Sequence, residues 1–300
     1  MQDQAARLRE IIKQRKNFNT AIVEKTKETV TTDTARIICV TSGKGGVGKT
    51  NFTLNLAIAL SKQNKRVIII DADLGLANVD VVMGILPKFS LLDVIKGDKG
   101  MEDIMVTGPN GIKIISGGSG LLDLIDMPQD KIQHLISKFD SINSYADVIL
   151  IDTGAGLSKS VLSFVLAAHE VIVVCTPEPT AITDAYAMIK TIGMKDPGKK
   201  LKLLINRVES INEGKITFEK IQNASNKFLN INIEKLGYLL EDIHVSRSVK
   251  LQQPFIIQFP ASPVSKNMEL IACKLTSDKV EKDLGISTGG FFNRVLSLFR

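Results

Sequence analysis

Short apolar runs rich in β-branched residues alternate with stretches of helical periodicity over most of the chain. The apolar runs predict strands, and the periodic stretches between them predict helices. The predicted strands are Ile37–Thr41, Val67–Ile70, Ile112–Ile115, Val148–Ile151, Val171–Cys175, Leu201–Ile205 and Leu236–Leu240, and the predicted helices are Asn51–Lys62, Ser158–Ala168, Ala181–Ile192 and Ile216–Leu229. This alternation is typical of right-handed βαβ units. We therefore predict an α/β fold with a doubly wound, mostly parallel sheet covered on both faces.

The two ends of the chain depart from this alternation, so the sequence predicts three parts. Residues 1–35 hold a short predicted helix from Asp3 to Lys16 and then a polar, threonine-rich linker. Residues 36–285 carry the alternating strands and helices. Residues 286–300 begin with a glycine-containing joint and end in an apolar and basic segment.

Composition excludes several classes of protein. The chain has 300 residues, of which 44% are hydrophobic and 23% charged, and this balance excludes a disordered chain or a fibrous rod. No apolar stretch is long enough to span a bilayer, and the first residues lack the pattern of a secretion signal. The three cysteines lie far apart in the sequence, which predicts neither a disulfide framework nor a zinc site. We expect a cytoplasmic protein with reduced thiols.

Net charge and aromatic content bear on the possible partners of the chain. The net charge of +6 favours contact with phosphates or anionic lipid, but it is mild for a chain of this length. Aromatic residues make up 5% of the chain and tryptophan is absent, which gives base stacking little support. We therefore expect no specific nucleic-acid partner.

A glycine-rich loop between the first predicted strand and the first predicted helix carries the strongest chemical signal. It satisfies the phosphate-loop pattern G-x-x-x-x-G-K-[ST], in which inward-turned backbone N–H groups and a helix N-terminus hold phosphate oxygens. Lys49 is expected to reach the β- and γ-phosphates and Thr50 to bind Mg²⁺. The candidate nucleotide-binding residues here are Gly43, Lys44, Gly45, Gly46, Val47, Gly48, Lys49, Thr50 and Asn51. We predict ATP and Mg²⁺ as cofactors.

Three aspartates follow predicted strands and complete the candidate site. Asp71 and Asp73 stand two residues apart at the end of one strand, so their side chains point the same way. Asp152 ends a second hydrophobic strand, where a carboxylate can bind a magnesium water beside the phosphate loop. Phosphoryl transfer mainly needs positioning and charge stabilisation, which carboxylates in these places supply.

Lys44, directly before Gly45, marks the deviant form of the phosphate loop, and from here the sequence resembles the MinD/ParA family of deviant-Walker ATPases. The segment from Asp71 to Asp80 is similar to the MinD branch of that family. The resemblance implies that Lys44 reaches the nucleotide of the opposite subunit, so that ATP holds a face-to-face dimer together. It also implies that Asp73 positions the attacking water. The implied catalytic residues are Asp73, Lys44 and Lys49, and the implied metal-binding residues are Thr50, Asp71 and Asp152. The implied activity is slow, Mg-dependent ATP hydrolysis that requires the dimer.

The resemblance also suggests a pocket for the base. Asn206 follows a predicted strand, and an asparagine at this place recognises adenine in the family. The alternative is a plain cap at the end of the strand. The sequence departs from the family twice, because Gly154 and Leu240 stand where relatives often have proline.

The N-terminal arm selects a branch of the family. The run from Asp3 to Arg9 matches D-Q-A-x-x-L-R, the N-terminal motif of FlhG proteins, also called YlxH or FleN, which regulate flagellar number and placement. This resemblance implies that the arm docks on the GTPase FlhF and stimulates it. The implied contact residues are Asp3, Gln4, Ala5, Leu8 and Arg9. Proteins of the flagellar switch ring and the anionic membrane surface are the other implied partners, and the alternative is an amphipathic tail that binds nothing.

The C-terminal segment predicts a reversible membrane anchor. On a helix it presents an apolar stripe beside arginines, which is typical of a helix lying in the lipid interface. The predicted membrane-facing residues are Phe291, Phe292, Val295, Leu296 and Phe299. The alternative is a helix that packs its phenylalanines on the domain, and both descriptions hold if ATP releases the tail.

Other members of the same superfamily remain as alternatives. A MinD-type division-site regulator would share the core and the tail but should lack the N-terminal arm. A ParA-type partition ATPase would bind DNA in a salt-sensitive way. An iron–sulfur carrier needs paired cysteines at a dimer interface, whereas Cys39 and Cys175 both fall within predicted buried strands.

Overall fold

A computed structural model describes residues 34–73, 78–85, 87–117, 136–277 and 287–299 of the chain. Eight strands of this part form one sheet in the order β3-β4-β2-β5-β1-β6-β7-β8. The strands are β1 (Arg36–Ser42), β2 (Val67–Ala72), β3 (Val106–Thr107), β4 (Lys113–Ser116), β5 (Val148–Ala155), β6 (Glu170–Cys175), β7 (Lys200–Val208) and β8 (Glu234–Leu240). All neighbours pair in parallel except β3, which pairs antiparallel with β4. The predicted doubly wound, mostly parallel α/β fold is confirmed.

Ten α-helices lie within the described ranges, and residues 136–140 are helical as well. The ten are α1 (Lys49–Ser61), α2 (Asn78–Met83), α3 (Leu91–Lys96), α4 (Lys159–Ala167), α5 (Pro179–Lys195), α6 (Ile211–Leu229), α7 (Ile243–Lys250), α8 (Phe255–Gln258), α9 (Pro263–Ser277) and α10 (Thr288–Phe299). All seven predicted strands and all four predicted helices are present. None of the described helices is both long enough and apolar enough to cross a membrane.

Burial explains why the strands read as continuous apolar runs. Every residue of β1, β2 and β6 is buried, because helices cover both faces of the sheet. Helix α1 is enclosed almost all round, with the side chains from Phe52 to Leu60 buried. Because parallel strands end at the same edge, the loops after β1, β2, β5, β6 and β7 converge there.

The C-terminal helix α10 packs against the domain, and the described residues between 34 and 299 belong to one compact unit. The rings of Phe292 and Phe139 stack with their centroids 3.6 Å apart, and Phe291 lies 6.3 Å from Phe164 of α4. Of the residues predicted to face a membrane, Phe291, Phe292, Val295 and Leu296 are buried and Phe299 is partly buried. The boundary predicted after residue 285 therefore does not separate α10 from the domain in this state. The predicted arm, residues 1–35, lies almost wholly outside the described residues, including Asp3, Gln4, Ala5, Leu8 and Arg9.

Candidate active site

The phosphate loop joins β1 to α1 and depends on glycine at two places. Gly48 has a φ of 94°, and a Cβ there would lie 2.5 Å from the side-chain nitrogen of Asn206. A Cβ on Gly43 would collide with the backbone of Asp184 in α5. Only glycine fits these positions, so α5 and β7 hold the loop tightly from both sides.

Lys49 and Thr50 lie beside Asp152 at the first turn of α1. The Thr50 hydroxyl donates to Asp152 Oδ2 over 2.7 Å, and the Thr53 hydroxyl donates to Asp152 Oδ1 over 3.0 Å. Burial raises the pKa of Asp152 to about 6, although the hydrogen bond from Thr50 and the charge of Lys49 oppose this shift. Burial also lowers the pKa of Lys49, against the attraction of Asp152 and Asp73.

Asp71 and Asp152 face each other across the β2–β5 pair, where they are partners in register. The Asp71 carboxylate is buried and accepts the backbone N–H groups of Asp73 and Val79, each over 3.1 Å. Burial, and then repulsion from Asp152, raise the pKa of Asp71 to about 7. Burial is thus the largest influence on the pKa of both carboxyl groups.

Asp73 is half-buried beside Gly154, near the end of β5. A Cβ on Gly154 would lie 3.3 Å from Asp73 Oδ1, so glycine at this position leaves room for the Asp73 carboxylate. The structure thus brings together five predicted residues at one edge of the sheet: Lys49, Thr50, Asp71, Asp73 and Asp152.

These residues fit ATP with Mg²⁺. The Thr50 hydroxyl and the Asp152 carboxylate are hard oxygen donors of the kind that Mg²⁺ prefers. Within the described ranges no group of three or more acidic, histidine or cysteine side chains could hold a metal by itself. Mg²⁺ that binds with a nucleotide commonly takes other ligands from phosphate oxygens and water, so Thr50 and Asp152 would hold the ion together with the nucleotide.

Lys44 is bonded within its own chain. Its Nζ atom lies 2.7 Å from Glu178 Oε2 and 2.9 Å from Thr180 Oγ1, at the start of α5. The hydrogen bond from Lys44 lowers the pKa of Glu178. Sequence reasoning gave Lys44 a partner across a dimer and missed both of these contacts. The position of Glu178 just after β6, at the sheet edge where the phosphate loop lies, could have indicated the contact with Lys44.

A cavity of about 400 Å³ opens beside the phosphate loop where a base would sit. Asn206 lines it, and its side-chain N–H donates to the carbonyl of Val47 over 2.8 Å, so this residue braces the loop as well. Leu240 lines the cavity in place of the expected proline. Other lining residues were not predicted from the sequence, among them Phe52, Val245, Phe255 and Val264. Adenine recognition by Asn206 stays a prediction.

Comparison with known proteins identifies the family. The family described as AAA domain matches residues 35–205. The chain is 40% identical over 242 residues to the antiactivator FleN of Pseudomonas aeruginosa, covering 81% of this chain and 86% of that protein. The chain belongs to the FlhG branch of the MinD/ParA ATPases. A second FlhG-branch relative is the flagellum site-determining protein YlxH of Helicobacter pylori, 34% identical over 87% of this chain and 90% of its own.

Solved structures confirm that this FlhG-type chain has the MinD fold. MinD in the MinC:MinD cell division complex of Aquifex aeolicus superposes with a TM-score of 0.66 at 27% identity, over 82% of this chain and 98% of that one. MinD of Pyrococcus horikoshii, solved with Mg-ADP, gives a TM-score of 0.64 at 26% identity, over 82% and 99% of the two chains. This FlhG-type chain is therefore a nucleotide-binding ATPase of the MinD/ParA family.

Proposed function

We propose that this FlhG-type ATPase is an ATP-dependent dimer switch that controls flagellar number or placement. The proposal rests mainly on one observation: the two lysines of the phosphate loop differ in burial and in the residues they contact. Lys49 is buried beside Asp152, where a nucleotide phosphate would lie, whereas Lys44 points to an exposed ion pair with Glu178. Lys44 is thus available to a second subunit once that weak pair opens.

Each residue of the site has a defined task in hydrolysis. Thr50 and Asp152 would hold Mg²⁺, which would supply charge neutralisation at the phosphates. The loop N–H groups and Lys49 hold the β- and γ-phosphates, and the Thr50–Asp152 hydrogen bond fixes the metal-facing hydroxyl. Asp73 orients the attacking water, and Lys44 of a second subunit stabilises charge on the leaving oxygens. Hydrolysis is therefore slow in a single chain and faster in the dimer.

The switch would act through different partner affinities in its two states. The N-terminal arm, with Gln4 as its central residue, would stimulate the GTPase FlhF. Helix α10 would leave the domain and bind the anionic inner face of the cell membrane. Two copies of α10 on a dimer bind a membrane better than one through effective concentration. Flagellar switch-ring proteins would bind the assembled form, and MinD-type division control remains the alternative.

Dimerisation-dependent hydrolysis tests this proposal directly. Light scattering should give a dimer with ATP and a monomer with ADP, and the ATPase rate per chain should rise with protein concentration. A peptide of residues 1–20 should raise FlhF GTPase activity, and the same peptide with Gln4→Ala should do so less. A rate per chain that is independent of concentration, with no ATP dimer, would remove the switch mechanism.

A further inference from the structure

Three helices contribute apolar walls to the cavity beside the phosphate loop. Val245 of α7, Phe255 of α8 and Val264 of α9 line it, and Asp242 lines it directly before α7. Phe255 and Val264 are almost fully buried, so these walls are packed parts of the domain. The width of the cavity therefore depends on how the three helices are held together.

The Asp242 carboxylate joins two of these walls. Its Oδ1 atom caps the N-terminus of α7 by accepting the backbone N–H of His244 over 2.9 Å. Its Oδ2 atom accepts the backbone N–H of Val264, in the first turn of α9, over 3.4 Å. The Asp242 side chain is only 8% exposed. Burial would raise the pKa of Asp242, but the hydrogen bonds from His244 and Val264 lower it, so the carboxyl is charged at neutral pH.

The His244 side chain strengthens this link and adds the third wall. Its ring nitrogen Nδ1 lies 2.6 Å from Asp242 Oδ1. A charged carboxylate only accepts hydrogen bonds, so Nδ1 is the donor. The same ring packs on the ring of Phe259 with the centroids 4.6 Å apart. Phe259 directly follows α8, and its N–H donates to the carbonyl of Phe255 over 2.8 Å. His244 thus contacts both the residue that caps α7 and the end of α8.

We propose that His244 is a positioning residue for the nucleotide base, because its contacts with Asp242 and Phe259 hold α7, α8 and α9 at a fixed spacing around the cavity. A pocket that already has the right width binds a ligand more tightly than one that must be ordered on binding. The inference deepens the nucleotide binding described above and rests on the base occupying this cavity. It does not rest on the proposed dimer.

Calorimetric titration of the full chain with Mg-ADP tests the proposal. His244→Phe keeps a ring against Phe259 but loses the hydrogen bond to Asp242, and we expect it to bind ADP about five-fold more weakly. His244→Asn carries an amide N–H that can replace this hydrogen bond, so it should bind ADP more tightly than His244→Phe. Arg247→Gln changes an exposed residue of the same helix and should bind ADP like the wild type.

Inorganic tripolyphosphate separates the base from the phosphates, because it can occupy the phosphate loop but has no base. Its competition against labelled ADP measures its affinity for each variant. We expect the same tripolyphosphate affinity in the wild type and in His244→Phe. A general loosening of the fold would instead weaken both ligands.

Two outcomes would overturn the proposal. One is equal ADP affinity in the wild type and His244→Phe, and the other is an equal loss of affinity for ADP and tripolyphosphate. Thermal melting checks that His244→Phe is folded. If it is not, Asp242→Asn replaces it, since asparagine still caps α7 but sets an amide N–H against that of Val264, and the same two comparisons apply. Neither assay uses ATP, so the result is independent of whether the ATP dimer forms.

Discussion

Lys44 Nζ lies 2.7 Å from Glu178 Oε2, so the lysine that defines the deviant loop is held by its own chain. Both side chains are substantially exposed, and such pairs stabilise a fold little because water and salt screen them. The pair therefore keeps Lys44 in one place without preventing its release. For the proposed switch, this means that dimerisation exchanges a weak internal contact for one to the nucleotide of the partner.

Substitution of the two loop lysines should have different effects. Lys44→Ala should abolish the ATP-dependent dimer but leave ATP affinity of the single chain nearly unchanged, because its side chain points away to Glu178. Lys49→Ala should weaken ATP binding itself by about ten-fold or more, because it removes a buried charge at the phosphates. Equilibrium binding and light scattering measure the two effects. The exposed Lys65→Ala serves as control, and ATP dimers of normal stability in Lys44→Ala would contradict the assignment.

Hydrolysis should depend on the space that Gly154 leaves for Asp73. Asp73→Ala should bind ATP, lose turnover and accumulate as the dimer. Gly154→Ala places a Cβ 3.3 Å from Asp73 Oδ1 and should lower kcat by about three-fold, because the carboxylate has to shift slightly. Gly198→Ala, where the nearest atom would be an ordinary 3.7 Å away, is the matched control. Steady-state phosphate release measures turnover, and an undiminished rate in Asp73→Ala would remove Asp73 from the mechanism.

Asn206 should affect nucleotide binding through the loop as well as through the base. Its N–H group donates to Val47, so Asn206→Asp would set a carboxylate against a carbonyl oxygen and weaken ATP and GTP alike. If Asn206 also recognises adenine, Asn206→Ala should lower affinity for ATP more than for GTP. Competition of both nucleotides against labelled ADP separates the two roles. An equal loss for ATP and GTP in Asn206→Ala would leave only the bracing role.

The sequence predicted the strands of the core because each is a buried apolar run bounded by polar residues. It did not predict β3, because a strand of two residues is too short to show an alternation of apolar and polar positions. It also missed α7, a short helix with one buried residue, Ser248. The motifs placed Lys49, Thr50 and the three aspartates because phosphate chemistry fixes their spacing. The Lys44–Glu178 pair joins residues that are 134 positions apart, so only the position of Glu178 just after β6 indicated that the two side chains could meet.

The nucleotide-free protein should become less stable as pH rises through the pKa of Asp152. Burial raises that pKa from 3.8 to about 6, so the neutral carboxyl is favoured in the folded state. The neutral Asp152 carboxyl therefore contributes to the free energy of unfolding in full below pH 3.8, and this contribution is lost as pH rises through about 6. Asp152→Asn should therefore raise Tm at pH 8 more than at pH 5, while losing stabilisation by Mg-ATP. Thermal melts at both pH values check this. Asp147→Asn, whose carboxyl has a lowered pKa, should show no gain at pH 8.

Helix α10 should serve both the fold and the membrane, and two variants separate these roles. Phe292 is buried and stacks on Phe139, so Phe292→Ala should destabilise the protein by about 3–5 kcal/mol. Arg294 is exposed, and its guanidinium lies 3.8 Å from Asp196 at the surface, so Arg294→Gln should leave Tm nearly unchanged.

If α10 binds the membrane, Arg294→Gln should weaken lipid binding although it leaves stability nearly unchanged. Removing one of the two arginines of this segment should weaken ATP-dependent flotation with anionic liposomes, because each basic residue near such a surface contributes about 1 kcal/mol. A chain ending at Gly290 should lose flotation altogether and melt at a lower temperature, since α4 would expose the apolar face that α10 covers. Neutral liposomes are the control. Equal flotation by the full-length and truncated chains would leave α10 as a structural element of the domain only.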